Sequence, residues 1–247
     1  MTIGTIGTTG TIDASQRTAA RVIGLTYLLA MVTAVFGFWV RGSLIVSGNV
    51  AETARNIMAS ERLFRLGIAS DLLTFIIDIV LITALYVVLR PVNRNLALVA
   101  VFWRLMETAV LVVVTLNGFA VLRVLSGAEY LGVFEADRLQ AMARLSLSAY
   151  GAGYNVGFVF LGLGSTLFGY LWYKSRYIPR SLAVLGVFSS LLLAACNFAF
   201  MIVPTFAQTV GLGYMAPMGV FEVGMGLWLL FRGLGPSVAA RTGDATG

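Results

Sequence analysis

The sequence predicts an all-α integral membrane protein, a bundle of six transmembrane helices with two short amphipathic helices on its outer side. Three observations lead to this fold class. Hydrophobic residues make up 59% of the 247 residues and charged residues only 11%, whereas a soluble domain has about 25% charged residues. The apolar residues fall into six runs, each close to the roughly 20 residues that cross a bilayer. Basic residues gather in the short turns between these runs, as they do in membrane proteins.

The chain is predicted to form one membrane domain, residues 19–232, between two disordered tails. The N-terminal tail, residues 1–18, is a Thr/Gly/Ile-rich tract without a basic residue before Arg17, and it therefore lacks the positive start of a secretory signal. The C-terminal tail, residues 233–247, is short and polar. The six predicted spans cover residues 19–40, 64–89, 95–124, 146–173, 181–203 and 212–231.

Most of the predicted spans end at a recognisable signal. A tight basic turn at residues 90–94 separates the second span from the third, and a similar turn at residues 174–180 separates the fourth from the fifth. Pro204 ends the fifth span, because proline interrupts helical hydrogen bonding. Arg232 and Gly233 close the sixth span, as basic residues and glycine commonly do at helix ends.

Two longer connections on the outer side are each predicted to contain an amphipathic helix at the membrane surface. In the first, Asn49 and Glu52 have the spacing of a capping box, which favours a helix start. The second follows Phe134. In the fourth span, Gly153 and Gly157 form a GxxxG pair, which permits close packing of another helix.

The distribution of Lys and Arg predicts that both termini are cytoplasmic. Six spans put the two termini on the same side. That side carries basic residues with almost no acidic ones, namely Arg17, Arg21, Arg90, Arg94, Lys174, Arg176, Arg180, Arg232 and Arg241. The other side mixes basic residues with acidic ones, namely Arg41, Arg55, Arg62, Arg65, Arg138 and Arg144 with Glu52, Glu61, Glu129, Glu135 and Asp137.

Composition also argues against several kinds of site. Histidine is absent and Cys196 is the only cysteine, which removes histidine acid–base chemistry, His- and Cys-based zinc sites and an intrachain disulfide. No metal and no cofactor are predicted. The net charge of +6 lies in the turns beside apolar runs, so the predicted partner is the lipid bilayer and not a nucleic acid.

Four ionisable side chains are predicted to lie in one layer near the middle of the membrane. They are Asp78 in the second span, Arg104 and Glu107 in the third, and Glu222 in the sixth. Counted from the basic ends of their spans, they lie about 14 to 18 Å deep, near the midplane of a core about 30 Å thick. Arg104 and Glu107 are neighbours on one helix face. Asp78 is the natural partner of Arg104 across the hairpin.

The charge of this layer suggests what it does. A charge near the bilayer centre costs roughly 2.5 to 3.5 kcal/mol on insertion scales, so these groups are expected to face the bundle interior and find partners. If all four were ionised, two negative charges would remain in excess. At least one carboxyl, with Glu222 the first choice, is therefore expected to be protonated part of the time and able to exchange a proton. A purely structural ion-pair network that holds the helices together remains the alternative.

A second polar group is predicted nearer the outer face, as structural glue or as the lining of a vestibule. It consists of Asp71, Asn117, Asn155 and Asn197, about 26 to 33 Å from the basic ends of their spans, with Tyr150 and Tyr154 close by. Asp71 and Asp78 are seven residues apart and therefore share one face of the second span. That face could link outer water to the buried layer.

Six short motifs follow one another along most of the chain after the N-terminal tail. They are ARVIGLTYLL from Ala20, RLGIASDLL from Arg65, RPVNRNLAL from Arg90, SGAEYL from Ser126, YKSRYIPRSLAVL from Tyr173 and EVGMGLWLL from Glu222. As a set they resemble a family of bacterial multi-pass membrane proteins catalogued as domain of unknown function 4386. The resemblance implies a membrane location and several helices. It implies no activity and no catalytic residues.

The leading hypothesis is a multi-pass inner-membrane protein of unknown biochemical role, acting as a small proton- or cation-linked transporter or a lipid-accessible binding protein. One alternative is a membrane-embedded enzyme, cyclase- or transferase-like, in which a protonated carboxyl starts the reaction on a lipid or isoprenoid substrate. Another is an accessory subunit of a membrane complex. The enzyme is not favoured, because no known catalytic motif occurs in the chain. A homo-oligomer or a membrane partner subunit remains open.

Overall fold

The computed structural model describes residues 12–235, most of which are helical. Eight α-helices follow one another, α1 (Ala14–Leu44), α2 (Val50–Ala59), α3 (Glu61–Leu89), α4 (Arg94–Leu125), α5 (Ala136–Ser175), α6 (Arg180–Ile202), α7 (Pro204–Val210) and α8 (Ala216–Phe231). Five of them, together with α8 and the 3-10 turn before it, are long and apolar enough to cross a membrane. The predicted all-α membrane bundle with six spans is confirmed.

The six spanning helices pack in a closed ring. Each contacts the next in the order α1, α3, α4, α5, α6 and α8, and α8 returns to α1. Glycine makes the closing contact possible, because a Cβ on Gly24 of α1 would lie 2.9 Å from the backbone oxygen of Gly226 on α8. The predicted GxxxG pair works in the same way, since Gly153 and Gly157 pack against side chains of α4.

Helix α1 begins earlier than the sequence predicts. Asp13 and Gln16 form a capping box, in which the Gln16 N–H donates to Asp13 Oδ1 at 2.6 Å and the Asp13 N–H donates to Gln16 Oε1 at 3.2 Å. Residues 14–18, assigned to the disordered tail, are therefore helical. Residues 1–11 and 236–247 of the two predicted tails lie outside the described residues.

The two predicted amphipathic helices differ in outcome. Helix α2 is separate, and Asn49 caps it by accepting the Glu52 N–H at 3.0 Å. The helix after Phe134 instead runs on into the fourth span as α5, which has 40 residues and is about 60 Å long. No proline interrupts it. Helix α7 was not predicted; Pro204 starts it, at a position where the missing N–H costs nothing.

Two clusters of buried apolar residues divide the interior along the bundle axis. We call the end of the bundle that holds the turns at Arg90 and Arg176 the basic face, and the opposite end the far face. The basic-face core contains 22 buried residues, among them Ile23, Leu85, Trp172 and Leu229. The far-face core contains 8, namely Val40, Leu44, Ile57, Phe64, Ile68, Val121, Leu122 and Ala143. Asp71, Asp78, Arg104 and Glu107 are buried in the interior as well.

Candidate functional site

The midplane layer, Asp78, Arg104, Glu107 and Glu222, is built around one guanidinium. Arg104 Nη2 donates to Asp78 Oδ1 at 3.3 Å, and Arg104 Nη1 lies 3.5 Å from Glu107 Oε2. Asp78, Arg104 and Glu107 are only 8%, 5% and 2% exposed. The predicted cross-hairpin pair and the predicted neighbour on α4 are thus both present. Helices α3 and α4 are held together by an ion pair out of contact with solvent.

Helix α5 completes the surroundings of Arg104. Arg104 Nη1 also donates to Ser165 Oγ at 3.4 Å. The preceding residue, Gly164, leaves room for the arginine side chain, because a Cβ there would lie 2.7 Å from Arg104 Cγ. Arg104 Nε and Glu107 Oε2 remain buried without a hydrogen-bond partner in the described part of the chain. The pairing of this layer is therefore incomplete.

Glu222 of α8 belongs to the layer but is not paired within it. It is half-buried and close enough to Arg104 and Asp78 to interact with them electrostatically. Among residues 12–235 it makes no ion pair within 4 Å and no hydrogen bond. The structure thus brings three of the predicted residues into contact and leaves the fourth beside them.

Tyr27 of α1 is a member of the layer that the sequence reasoning missed. It is 8% exposed, lies near Glu222, Arg104 and Asp78, and packs edge-to-face on Phe221 with ring centroids 6.2 Å apart. The depth count could have found it, since it lies ten residues after Arg17, or about 15 Å deep.

A second buried ionic group, the far cluster, consists of Arg41, Asp71, Tyr150 and Tyr154. Arg41 Nη1 and Tyr150 Oη both donate to Asp71 Oδ2, and Arg41 Nη1 lies 3.1 Å from Tyr150 Oη. The guanidinium carbon lies 5.2 Å and 5.4 Å from the ring centroids of Tyr150 and Tyr154. The cluster links α1, α3 and α5.

The three asparagines predicted beside Asp71 make no contact with it in the hydrogen bonds of the described residues. Asn117 Nδ2 donates to Val114 O at 3.3 Å within α4, and Asn197 Nδ2 donates to Leu193 O at 2.8 Å within α6. Asn155 is half-buried. The partner of Asp71 is instead Arg41, which the sequence placed among the residues that set topology.

The fold and the buried ionic layer define a multi-pass α-helical membrane protein. Its family follows from comparison with known proteins: the family model described as Domain of unknown function (DUF4386) matches residues 22–233, and the chain belongs to this family. The resemblance carried by the six motifs is confirmed. An uncharacterised protein of Archaeoglobus fulgidus is 25% identical over 166 residues, which is 65% of this chain and 80% of the relative. No solved structure matches the chain significantly.

Proposed function

We propose that the chain is a small transporter or lipid-accessible binding protein whose midplane layer reversibly binds a proton or a small cation. The observation that carries this proposal is the excess of acid, three carboxylates from three helices around one guanidinium. Arg104 is engaged by Asp78 and Glu107. An uncompensated carboxylate is costly in a low-dielectric interior. Binding a positive charge therefore lowers the free energy of the Glu222 carboxylate.

Polar side chains on the far half of α3 support a route to this site. Thr74 lies between Asp71 and Asp78 on the same helix face, and its hydroxyl is 2.6 Å from that of Thr33 on α1. The Ser70 hydroxyl donates to the Thr33 carbonyl at 2.8 Å. We infer that a proton or cation reaches the layer from the far face when the Arg41 and Asp71 pair separates. The basic-face core closes the other side.

Proton flux into vesicles tests the proposal. The full chain is reconstituted in liposomes that contain the pH dye pyranine, and a potassium gradient with valinomycin supplies the voltage. Wild type is expected to acidify or alkalinise the interior faster than empty liposomes. Glu222→Gln, which removes the exchangeable site, is expected to lower that protein-dependent rate at least about tenfold, a loss typical of removing a positioned acid–base group.

The matched control is Glu129→Gln, which neutralises an exposed carboxylate in the connection between α4 and α5 and should retain the wild-type rate. The measurement is repeated with sodium and potassium gradients so that cation binding is tested with the same variants. Equal rates for wild type, Glu222→Gln and empty liposomes under all three gradients would contradict the proposal and favour a structural network.

The proposed location is the bacterial inner membrane, with both termini in the cytoplasm. The basic turns support this orientation. In a Cys196→Ser background, a cysteine placed at Ser47 is expected to react with a membrane-impermeant maleimide on intact cells, and a cysteine at Val92 only after lysis. Ser47 serves well because it is exposed in the connection between α1 and α2 and, unlike Gly48, has no positive φ. The reverse labelling pattern would invert the topology.

A further inference from the structure

A second site, separate from the midplane layer, lies at the basic face where α5 and α8 end and α6 begins. It is a pocket of about 320 Å³ lined by Arg176, Tyr177, Ile178, Pro179, Arg180, Trp228 and Gly235. We propose that this pocket binds the phosphate group of an anionic ligand, and that in the membrane this ligand is an anionic phospholipid.

The charges at the pocket fit an anion. Arg176 and Arg180 both line it, and neither has an acidic partner within 4 Å among residues 12–235. Guanidinium groups match phosphate oxygens in geometry and charge. An anion would therefore supply the counter-charge that the described part of the chain does not.

Backbone and indole donors add to the arginines. Helix α6 begins at Arg180 without a side-chain cap, so the unpaired N–H groups of its first turn and the positive end of its dipole lie at the pocket. Trp228 lines the same pocket, and its Nε1 is buried without a hydrogen-bond partner in the described residues. Two arginines, the start of α6 and the side chain of Trp228 thus border one pocket.

The left-handed backbone conformation of Arg176 is a further reason to assign a role to its side chain. Arg176 follows α5 with φ 58° and ψ 22°, and it is the one non-glycine residue of the described chain with a positive φ. Glycine normally occupies this position after a helix, because it adopts the left-handed conformation without steric cost. Here the position is held by an arginine that is exposed and lines the pocket.

The surroundings of the pocket favour a lipid as the source of the phosphate. Arg180 lies over the ring of Tyr173 at 5.4 Å and Arg232 over that of Trp228 at 5.8 Å, a combination of aromatic and basic residues typical of the headgroup level. Phe231, next to Arg232, is 81% exposed and offers apolar surface for an acyl chain. A soluble anion has no acyl chain that could contact that surface.

Thermal unfolding in dodecyl maltoside tests the proposal on the full chain. Phosphatidylglycerol is compared with phosphatidylcholine at equal mole ratio, and sodium phosphate with sodium chloride at equal ionic strength. For wild type, we expect phosphatidylglycerol to raise Tm by several degrees more than phosphatidylcholine. Arg176→Gly is expected to weaken the apparent affinity for phosphatidylglycerol about tenfold, as the loss of one charge-assisted hydrogen bond does. Without lipid its Tm should be unchanged or higher, because glycine relieves the left-handed backbone.

Two further variants separate the pocket from general surface charge. Trp228→Phe keeps an aromatic ring at this position but removes the indole N–H donor, and it should also weaken lipid binding. Lys174→Gln removes an exposed charge from the same turn outside the pocket lining, and it should keep the wild-type response. An equal response to sodium phosphate alone would assign the pocket to free phosphate and still support the anion site. No preference for phosphatidylglycerol or phosphate, or an equal loss in Lys174→Gln, would overturn it.

Discussion

Replacing Arg104 with glutamine is expected to lower the free energy of unfolding by about 3 to 5 kcal/mol, the usual cost of removing one partner of a buried ion pair. Asp78 and Glu107 would then be left facing each other in the interior without the guanidinium that contacts both. Glutamine cannot replace the positive charge. A denaturant titration of the purified protein in mixed micelles measures this change in the free energy of unfolding.

Two other variants make this result specific. Glu222→Gln is expected to leave stability unchanged or to raise it, because it removes excess negative charge and breaks no ion pair of the described chain. In the triple variant Arg104→Gln, Asp78→Asn and Glu107→Gln, part of the lost stability should return, since the two carboxylates that contact Arg104 are then neutral as well. If Glu222→Gln loses as much stability as Arg104→Gln, the four residues act as one scaffold and the binding proposal fails.

Gly37→Ala is expected to destabilise the protein by about 1 to 3 kcal/mol, although alanine is the better helix former. Gly37 lies on α1 opposite Asp71, and a Cβ there would overlap Asp71 Oδ1 while also meeting the carbonyl oxygen of Gly67 at 3.4 Å. Either the Asp71 carboxylate leaves Arg41, or α1 and α3 move apart. Thermal unfolding in detergent measures the loss.

Gly42→Ala on the same helix is the matched control. A Cβ at Gly42 meets no atom within 4 Å, so this variant should gain about 0.5 to 1 kcal/mol from helix propensity. In an Asp71→Asn background the cost of Gly37→Ala should change, because the two residues share a contact and their effects are not additive. If Gly37→Ala lowers the stability and Gly42→Ala raises it, as expected, the far cluster depends on the close approach of α1. A gain in both would contradict that packing.

Much of this architecture could be predicted from depth and hydropathy alone. The six spans follow from apolar runs long enough to cross the bilayer, and the Arg104 ion pairs follow from counting 1.5 Å per residue along two antiparallel helices. The rise along a helix is nearly fixed, so residues at equal depth can be matched without knowing the tertiary structure. That is why Asp78, Arg104 and Glu107 were brought together correctly.

Rotation about the helix axis is what the sequence could not supply. Asn117, Asn155 and Asn197 have suitable depths, but the hydrogen bonds of Asn117 and Asn197 stay within their own helices, because packing turns those faces elsewhere. Arg41 was assigned to the surface from its position beside a connection, yet its side chain is only 19% exposed and contacts Asp71 on α3. The direction in which a buried side chain points depends on which neighbours it can reach. Gly37 of α1, for example, leaves the space that the Asp71 side chain occupies.

The unequal halves of the interior have an electrical consequence. On the far side of the midplane layer lie a second ion pair and several hydroxyl groups, whereas the basic side is filled by the large apolar core. A transmembrane voltage, worth about 2.3 kcal/mol per charge per 100 mV over the whole bilayer, drops mainly across the less polarisable half. Under the proposed function, a charge bound at Glu222 lies close to the far solution in terms of potential, and voltage acts on its passage to the basic face.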